Sequence, residues 1–315
     1  MRRILITGGL GFLGRHLSRR LLETDADCRL TIVDNLSSPG AEPPAAQERT
    51  TILIADFREF DASSEFDEVY HLASPVGSVG ILGKQASLAQ QIVDLSVRAC
   101  EIALASGAAL LHVSSSEVYG SAGVNTEVKG KIGARTPGAR AEYARGKIAA
   151  ENVLLESARR TKLRLTICRP FNVIGEWQSA QLGFVVPTFF ERALSGDNIP
   201  VFYDGKQRRA FCDVRDAVEG MIAVQRRGRP LSTYNIGCPK NIVQVRHLAE
   251  KIKRLCASRS LVRFVDPRTL HGDGYTEGFE KLPDITRIRK HVSWEPQCSL
   301  RESLERIHRH HVSGE

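Results

Sequence analysis

Three glycines spaced three apart, Gly8, Gly11 and Gly14, dictate how this chain begins to fold. They follow the apolar run Ile4-Leu5-Ile6 and precede Arg15 to Leu22, where apolar residues recur at helical spacing. A short buried strand therefore runs through a tight turn into a helix. Gly8 permits the turn, Gly11 lets backbone N–H groups approach a pyrophosphate, and Gly14 lets the helix pack on the strand. Phe12 and Leu13 lie within the same turn. Asp34 ends the next strand-like segment, twenty positions past Gly14. A carboxylate at that point accepts hydrogen bonds from a ribose 2′-OH and repels a 2′-phosphate, so the pattern selects NAD over NADP. A helix cap or turn residue is the competing role for Asp34.

The rest of the first half alternates strand and helix signals. Strands are expected at 51–55, 68–72, 109–113 and 163–168, helices at 85–106 and 141–160, and loops at 37–50 and 121–140. Such alternation predicts an α/β fold with a doubly wound parallel sheet. Asn35, Asp56, Phe57, Leu72, Ala73 and Ser74 fall at strand ends on the carboxyl edge and join the cofactor-binding candidates, as does Pro170. A plain turn role competes for Asp56, and His71 reads as a packed strand residue rather than a base. After Arg169-Pro170 the pattern loosens around Pro187, Pro200, Pro239, Pro267 and Pro283. The expected division is a nucleotide-binding domain over 1–170 and a smaller substrate lobe over 171–315, with a strand near 232–236 returning to the main sheet.

Several function classes are set aside by composition. The +8 net charge is spread along the chain rather than clustered, so it suits an anionic small substrate better than nucleic acid. No apolar run approaches the roughly 18 residues of a membrane span, and the N-terminal apolar run is too short for a signal peptide. The expectation is a cytoplasmic protein. Seven cysteines, an odd number with no CxxC pair, predict reduced thiols and neither a disulfide framework nor a metal site. The histidines at 308, 310 and 311 read as a fraying helix end.

Tyr143 and Lys147 stand four apart on an expected helix and share one face. A lysine ammonium near a phenol favours the phenolate and lowers its pKa. A tyrosine so tuned takes a proton from a sugar hydroxyl as hydride leaves for NAD. An exposed i,i+4 pair is the alternative. The functional role gains weight from Ser114-Ser115-Ser116-Glu117-Val118-Tyr119-Gly120, which leaves a strand at the sheet's carboxyl edge, where such folds bind ligands.

The chain resembles the extended short-chain dehydrogenases/reductases of the NAD-dependent epimerase/dehydratase family. The matching stretches are the glycine turn, His71-Leu72-Ala73-Ser74, the Ser114 to Gly120 segment, Tyr143 with Lys147, Arg169-Pro170-Phe171-Asn172, Gly205 to Phe211 and Trp294-Glu295-Pro296. The resemblance implies a Rossmann lobe, a nucleotide-sugar lobe and a homodimer through two long helices. It makes Ser115 the hydroxyl partner of Tyr143 at the C4 oxygen. Ser116-Glu117 stands where the sugar 4,6-dehydratases have Asp-Glu, and looks like the UDP-glucuronate decarboxylases, including UDP-xylose synthases.

Oxidation at C4 puts a ketone β to the C6 carboxylate, and a β-keto acid loses carbon dioxide readily. No hydroxyl departs, so no acid is required at Ser116, while Glu117 orders a water or handles the proton at C5. The implied catalytic set is Ser115, Glu117, Tyr143 and Lys147. The substrate candidates are Ser116, Arg140, Asn172, Val185, Arg209 and Lys281, with Asn172 and Arg209 toward the diphosphate of a UDP-sugar; a structural hydrogen-bonding role competes for Asn172 and Arg209, and a surface charge for Arg140. Lys281 stands where the decarboxylases carry an arginine, and Glu176 where the family often has proline. The nearest alternative is a UDP-sugar 4-epimerase, which usually lacks the glutamate. A nucleotide-sugar dehydratase comes next, and a non-catalytic nucleotide sensor last.

Overall fold

Ile4, Leu5 and Ile6 are all fully buried, so consecutive side chains on both faces of one strand are covered. That requires a sheet with helices on either side. The computed structural model describes residues 1–42, 48–61, 65–77, 85–120, 123–127, 139–271 and 280–314. Its main sheet has seven strands, all parallel. The first strand, β1 (Arg2–Thr7), is flanked on one side by β2 (Cys28–Asp34) and then β3 (Thr50–Ile54). On its other side lie β4 (Glu68–His71), β5 (Ala109–Val113), and the strands Leu165–Pro170 and Ser232–Ile236. The strand order reverses beside β1, where Thr7 is level with Val33 on one side and His71 on the other. The crevice of a doubly wound sheet opens at that point, beyond the carboxyl ends.

Helix α1 (Phe12–Thr24) and α5 (Val214–Arg227) cover one face, where Leu17, Leu21, Val218, Met221 and Val224 join Ile4 and Ile6. Helices α2 (Gln85–Ser106) and α3 (Ala139–Arg160) cover the other, where Leu95, Ile102 and Leu154 join Leu5, Val69 and Ile167. A separate core forms around Phe189, Phe190, Val201, Phe211, Leu248 and Ile307. It is built by α4 (Val185–Ser195), the helix Val245–Leu255 and the last helix, Leu300–Ser313. A small four-stranded sheet runs Ile242–Gln244, Arg208–Ala210, Glu280–Pro283, Val124–Asn125.

The sixth strand sits two residues later than its apolar run suggests. Leu163 is buried against α2 and α3, which gave it a strand-like signal, whereas Arg169 and Pro170 are level with Asn235 and Ile236 and continue the ladder. Helix α1 starts three residues earlier than expected, directly after Gly11. Within the expected loop 121–140, Val124–Asn125 pairs with Leu282–Pro283 and α3 already begins at Ala139. The rest of that loop, apart from Gly123, Thr126 and Glu127, lies outside the described residues, as do 43–47 of the loop at 37–50.

A buried ion pair ties α3 to the sheet. Arg169 Nε donates to Glu151 Oε1 at 2.8 Å, and its guanidinium donates to the Tyr119 hydroxyl at 2.9 Å. Tyr119 in turn donates to Asn235 Oδ1 at 2.6 Å. The chain therefore links helix, turn and two strands through one satisfied polar network.

Candidate active site

The glycine turn is shaped by contacts that admit no side chain. Gly8 has φ +69°, and a Cβ there would lie 2.8 Å from the Ala73 nitrogen. A Cβ on Gly14 would lie 2.4 Å from the Gly8 carbonyl oxygen. Gly11 differs: its missing side chain faces no tight protein neighbour, and the residue forms part of the wall of a cleft of about 690 Å³. Asp34 takes the turn role considered for it and stands on the cleft wall. Its Oδ2 accepts from the Leu10 N–H and its Oδ1 from the Leu36 N–H, each at 2.9 Å. A bare backbone at a helix N-terminus, with a carboxylate one strand away, fits a dinucleotide.

Phe12, Leu13, Asn35, Asp56, Phe57, Leu72, Ala73, Ser74 and Pro170 line the same cleft; Gly14 does not, being used for packing. The Asp56 carboxylate turns to Arg58, accepting from its N–H at 2.9 Å, and that hydrogen-bonded pair lowers its pKa. His71 is a packed strand residue. Its Nδ1 is 2.8 Å from Thr7 Oγ1, and burial first, then Lys147, lowers its pKa to about 3.

The cleft extends from the turn past the end of β5 to α4. Ser115 caps the short 3-10 turn Ser116–Tyr119, its Oγ accepting from the Glu117 N–H at 3.1 Å. Tyr143 projects from α3 into the cleft wall that Ser115 shares. Lys147 lies one turn on, donating to the Val113 carbonyl at 2.9 Å, with its Nζ 5.8 Å from the centre of the Tyr143 ring. This corrects the expectation that the lysine lowers the phenol's pKa. Burial pushes Tyr143 well above the usual range; the Ser115 side chain opposes it and the Glu117 charge adds to it. The lysine spends one of its N–H donors on that carbonyl, and its own pKa is lowered by burial to about 7, with Glu151 opposing.

Glu117 sits in a cluster of cations. Lys281 Nζ donates to its Oε1 at 2.6 Å, and Arg140 Nε is 3.5 Å from its Oε2. Burial alone would raise its pKa; Lys281, Arg140 and Arg209 outweigh burial and hold it at about 2. Ser116, Glu117, Arg140, Asn172, Val185 and Arg209 all line the cleft. Lys281 is not part of that wall and lies behind Glu117, on the strand next to Arg209. Asn172 has φ +37° and its Nδ2 donates to the Ala210 carbonyl at 3.0 Å, so one of its two amide N–H donors is used within the protein.

Motif reading missed several wall residues. Trp177, with φ +64°, lies 4.5 Å from the His16 ring and 4.6 Å from the Arg15 guanidinium. Gln178, Phe184 and Thr188 also line the cleft. None carries a spacing signal, because the loop and helix start that present them are fixed by tertiary packing. Gly146 is a further omission: a Cβ there would lie 2.8 Å from Ala89 Cα, so glycine sets how closely α3 approaches α2 beside Tyr143. Glu176 is held by Arg215 at 2.7 Å, and its carbonyl accepts from His16 at 3.0 Å. Among the described residues no cluster of metal-ligating side chains occurs, and no helix is long and apolar enough to cross a membrane.

A family profile described as the NAD dependent epimerase/dehydratase family matches residues 4–237. The chain is 30% identical over 311 residues to UDP-glucuronic acid decarboxylase 6 of Arabidopsis thaliana, covering 96% of this chain and 86% of that protein. It is 30% identical over 309 residues to UDP-glucuronic acid decarboxylase 1 of Danio rerio, covering 97% of this chain and 71% of that protein. Among solved structures, UDP-glucuronic acid 4-epimerase from Bacillus cereus in complex with NAD superposes with a TM-score of 0.83 at 21% identity, covering 99% of this chain and 98% of that one. At that identity the superposition speaks for the fold.

Proposed function

We propose that this chain, which belongs to the NAD dependent epimerase/dehydratase family, oxidises UDP-glucuronate at C4 and releases its C6 carboxylate as carbon dioxide. The product is a UDP-4-keto-pentose, or UDP-xylose where the ketone is reduced again. The observation that carries this reading is Glu117, ionised among Lys281, Arg140 and Arg209 on the wall that also holds Ser115 and Tyr143. The names of the relatives at 30% identity support it.

NAD would be held by the Gly8–Gly14 turn and Asp34, and when bound it would supply the hydride acceptor. The chain's own groups handle protons and charge. Ser115 and Tyr143 stand on the same cleft wall, where both hydroxyls can meet a C4 hydroxyl, with the phenol exchanging the proton. Once C4 is a ketone, the C5–C6 bond breaks, carbon dioxide leaves, and the electron pair passes into the carbonyl. Arg140 and Arg209 supply positive charge to the cleft wall for an anionic sugar nucleotide. A proton must then reach C5, and Glu117 is the carboxylate that orders a water for it.

In this reading residues 1–170 form the nucleotide-binding domain and 171–315 the substrate lobe, with Ser232–Ile236 contributed back to the main sheet. The catalytic set is Ser115, Glu117, Tyr143 and Lys147. A homodimer through α2 and α3, acting in the cytoplasm, is part of the same proposal and is supported by the family resemblance. The test is incubation with UDP-glucuronate and NAD, followed by product mass: loss of one carbon dioxide is expected, and an unchanged mass contradicts the reading.

A further inference from the structure

The shortest contact Glu117 makes with a cation is to a residue outside the cleft wall. Lys281 reaches Glu117 Oε1 at 2.6 Å, its side chain 9% exposed, from the strand Glu280–Pro283. That strand is fastened parallel to Arg208–Ala210, with Lys281 level with Arg209, and again to Val124–Asn125. A further bridge, Arg208 to Glu280 at 2.9 Å, holds the same register. Glu117 itself hangs from a single 3-10 turn after β5, and Arg140 meets its other oxygen from α3 at 3.5 Å. The carboxylate is thus held at both oxygens by cations from two different elements. One of them, Arg140, faces the cleft, and the other, Lys281, does not.

We propose that Lys281 is a positioning residue that acts on the reaction only through Glu117, fixing its carboxylate on the cleft wall, and does not itself bind the sugar. This rests on the decarboxylase reading for its substrate but not for its geometry. A buried charge whose one partner is removed is left uncompensated. Without Lys281, Glu117 loses its shortest cation contact while Arg140 and Arg209 remain, is protonated more readily, and loses its aim.

The test is a double-mutant cycle with Lys281→Met, Glu117→Gln and the double variant, alongside Lys281→Arg. Turnover of UDP-glucuronate is split into kcat and KM. The proposal expects each single variant to lower kcat by roughly tenfold or more with KM within a few-fold, and the double variant to be no slower than Glu117→Gln, a coupling of the size that contacting residues show. Lys281→Arg retains most of the rate. Losses that multiply in the double variant, or a Lys281→Met defect that falls on KM, place Lys281 on the substrate and overturn the proposal. A second readout needs no turnover. The carboxyl band of protonated Glu117, followed by infrared spectroscopy across acidic pH, moves to higher pH in Lys281→Met and is absent in Glu117→Gln. An unmoved band also overturns the proposal. Wild-type protein that releases no carbon dioxide refutes the decarboxylase reading, while the infrared titration still decides the role of Lys281.

Discussion

Tyr143 is buried, and burial by itself makes a phenol a poor base. The Ser115 side chain opposes that rise in pKa, while Lys147 donates to the Val113 carbonyl. In the proposed mechanism proton exchange at C4 runs through Ser115 and Tyr143, with Lys147 held beside them by the Val113 carbonyl. Replacing Tyr143 by Phe keeps the ring packed against Leu88 and Ile92 and removes only the hydroxyl. The expected result is a loss of NADH formation at 340 nm with UDP-glucuronate by roughly 10²-fold or more, with sugar-nucleotide affinity little changed. Undiminished reduction would remove Tyr143 from the chemistry. The residue pair was legible from its i,i+4 spacing, but the direction of its pKa was not, because spacing does not reveal which carbonyl a lysine reaches.

At the scale of elements, the site depends on how α3 is fastened to the strand Leu165–Pro170. The Arg169–Glu151 pair, both side chains at most 5% exposed, performs that fastening, with Tyr119 and Asn235 satisfying the remaining polar atoms. Arg169→Met leaves Glu151 buried without its partner and is expected to cost about 3–5 kcal/mol of stability. Chemical denaturation checks this, and a change below about 1 kcal/mol would show that the pair is replaceable. Elements with strong periodicity were readable: β1 and α2 stand where the sequence put them, within a residue, whereas the glycine turn gives way to α1 three residues early. The strand Leu165–Pro170 was displaced because burial of Leu163 between helices mimics a strand residue. The strand Val124–Asn125 is two residues long and exists only through its pairing with Leu282–Pro283, so no local pattern announces it.

For the whole molecule, folding lowers the His16 pKa from 6.5 to about 4 and that of His71 to about 3, burial being the leading cause in each. A depressed folded-state pKa means the unfolded chain binds more protons below pH 6.5. The associated stability is present above 6.5 and is lost as pH falls through about 4 for His16 and about 3 for His71. The thermal midpoint should decline over that window, and His16→Gln should flatten its upper part. A midpoint flat from pH 6.5 to 4 would show that these rings are solvated. Fold class and cofactor were legible because a glycine turn and a strand-end carboxylate make one local constellation. The Glu117–Lys281 contact was not, since it spans 164 positions and is created by a small sheet that the sequence pattern does not announce.

The measurement closest to the central claim is the fate of C6. UDP-glucuronate carrying a labelled carbon at C6 is incubated with the protein and NAD, and both the released gas and the sugar nucleotide are assayed. The account predicts label in carbon dioxide and a five-carbon sugar nucleotide that has lost it. Label retained in a six-carbon product, whether unchanged or inverted at C4, would contradict the decarboxylase reading.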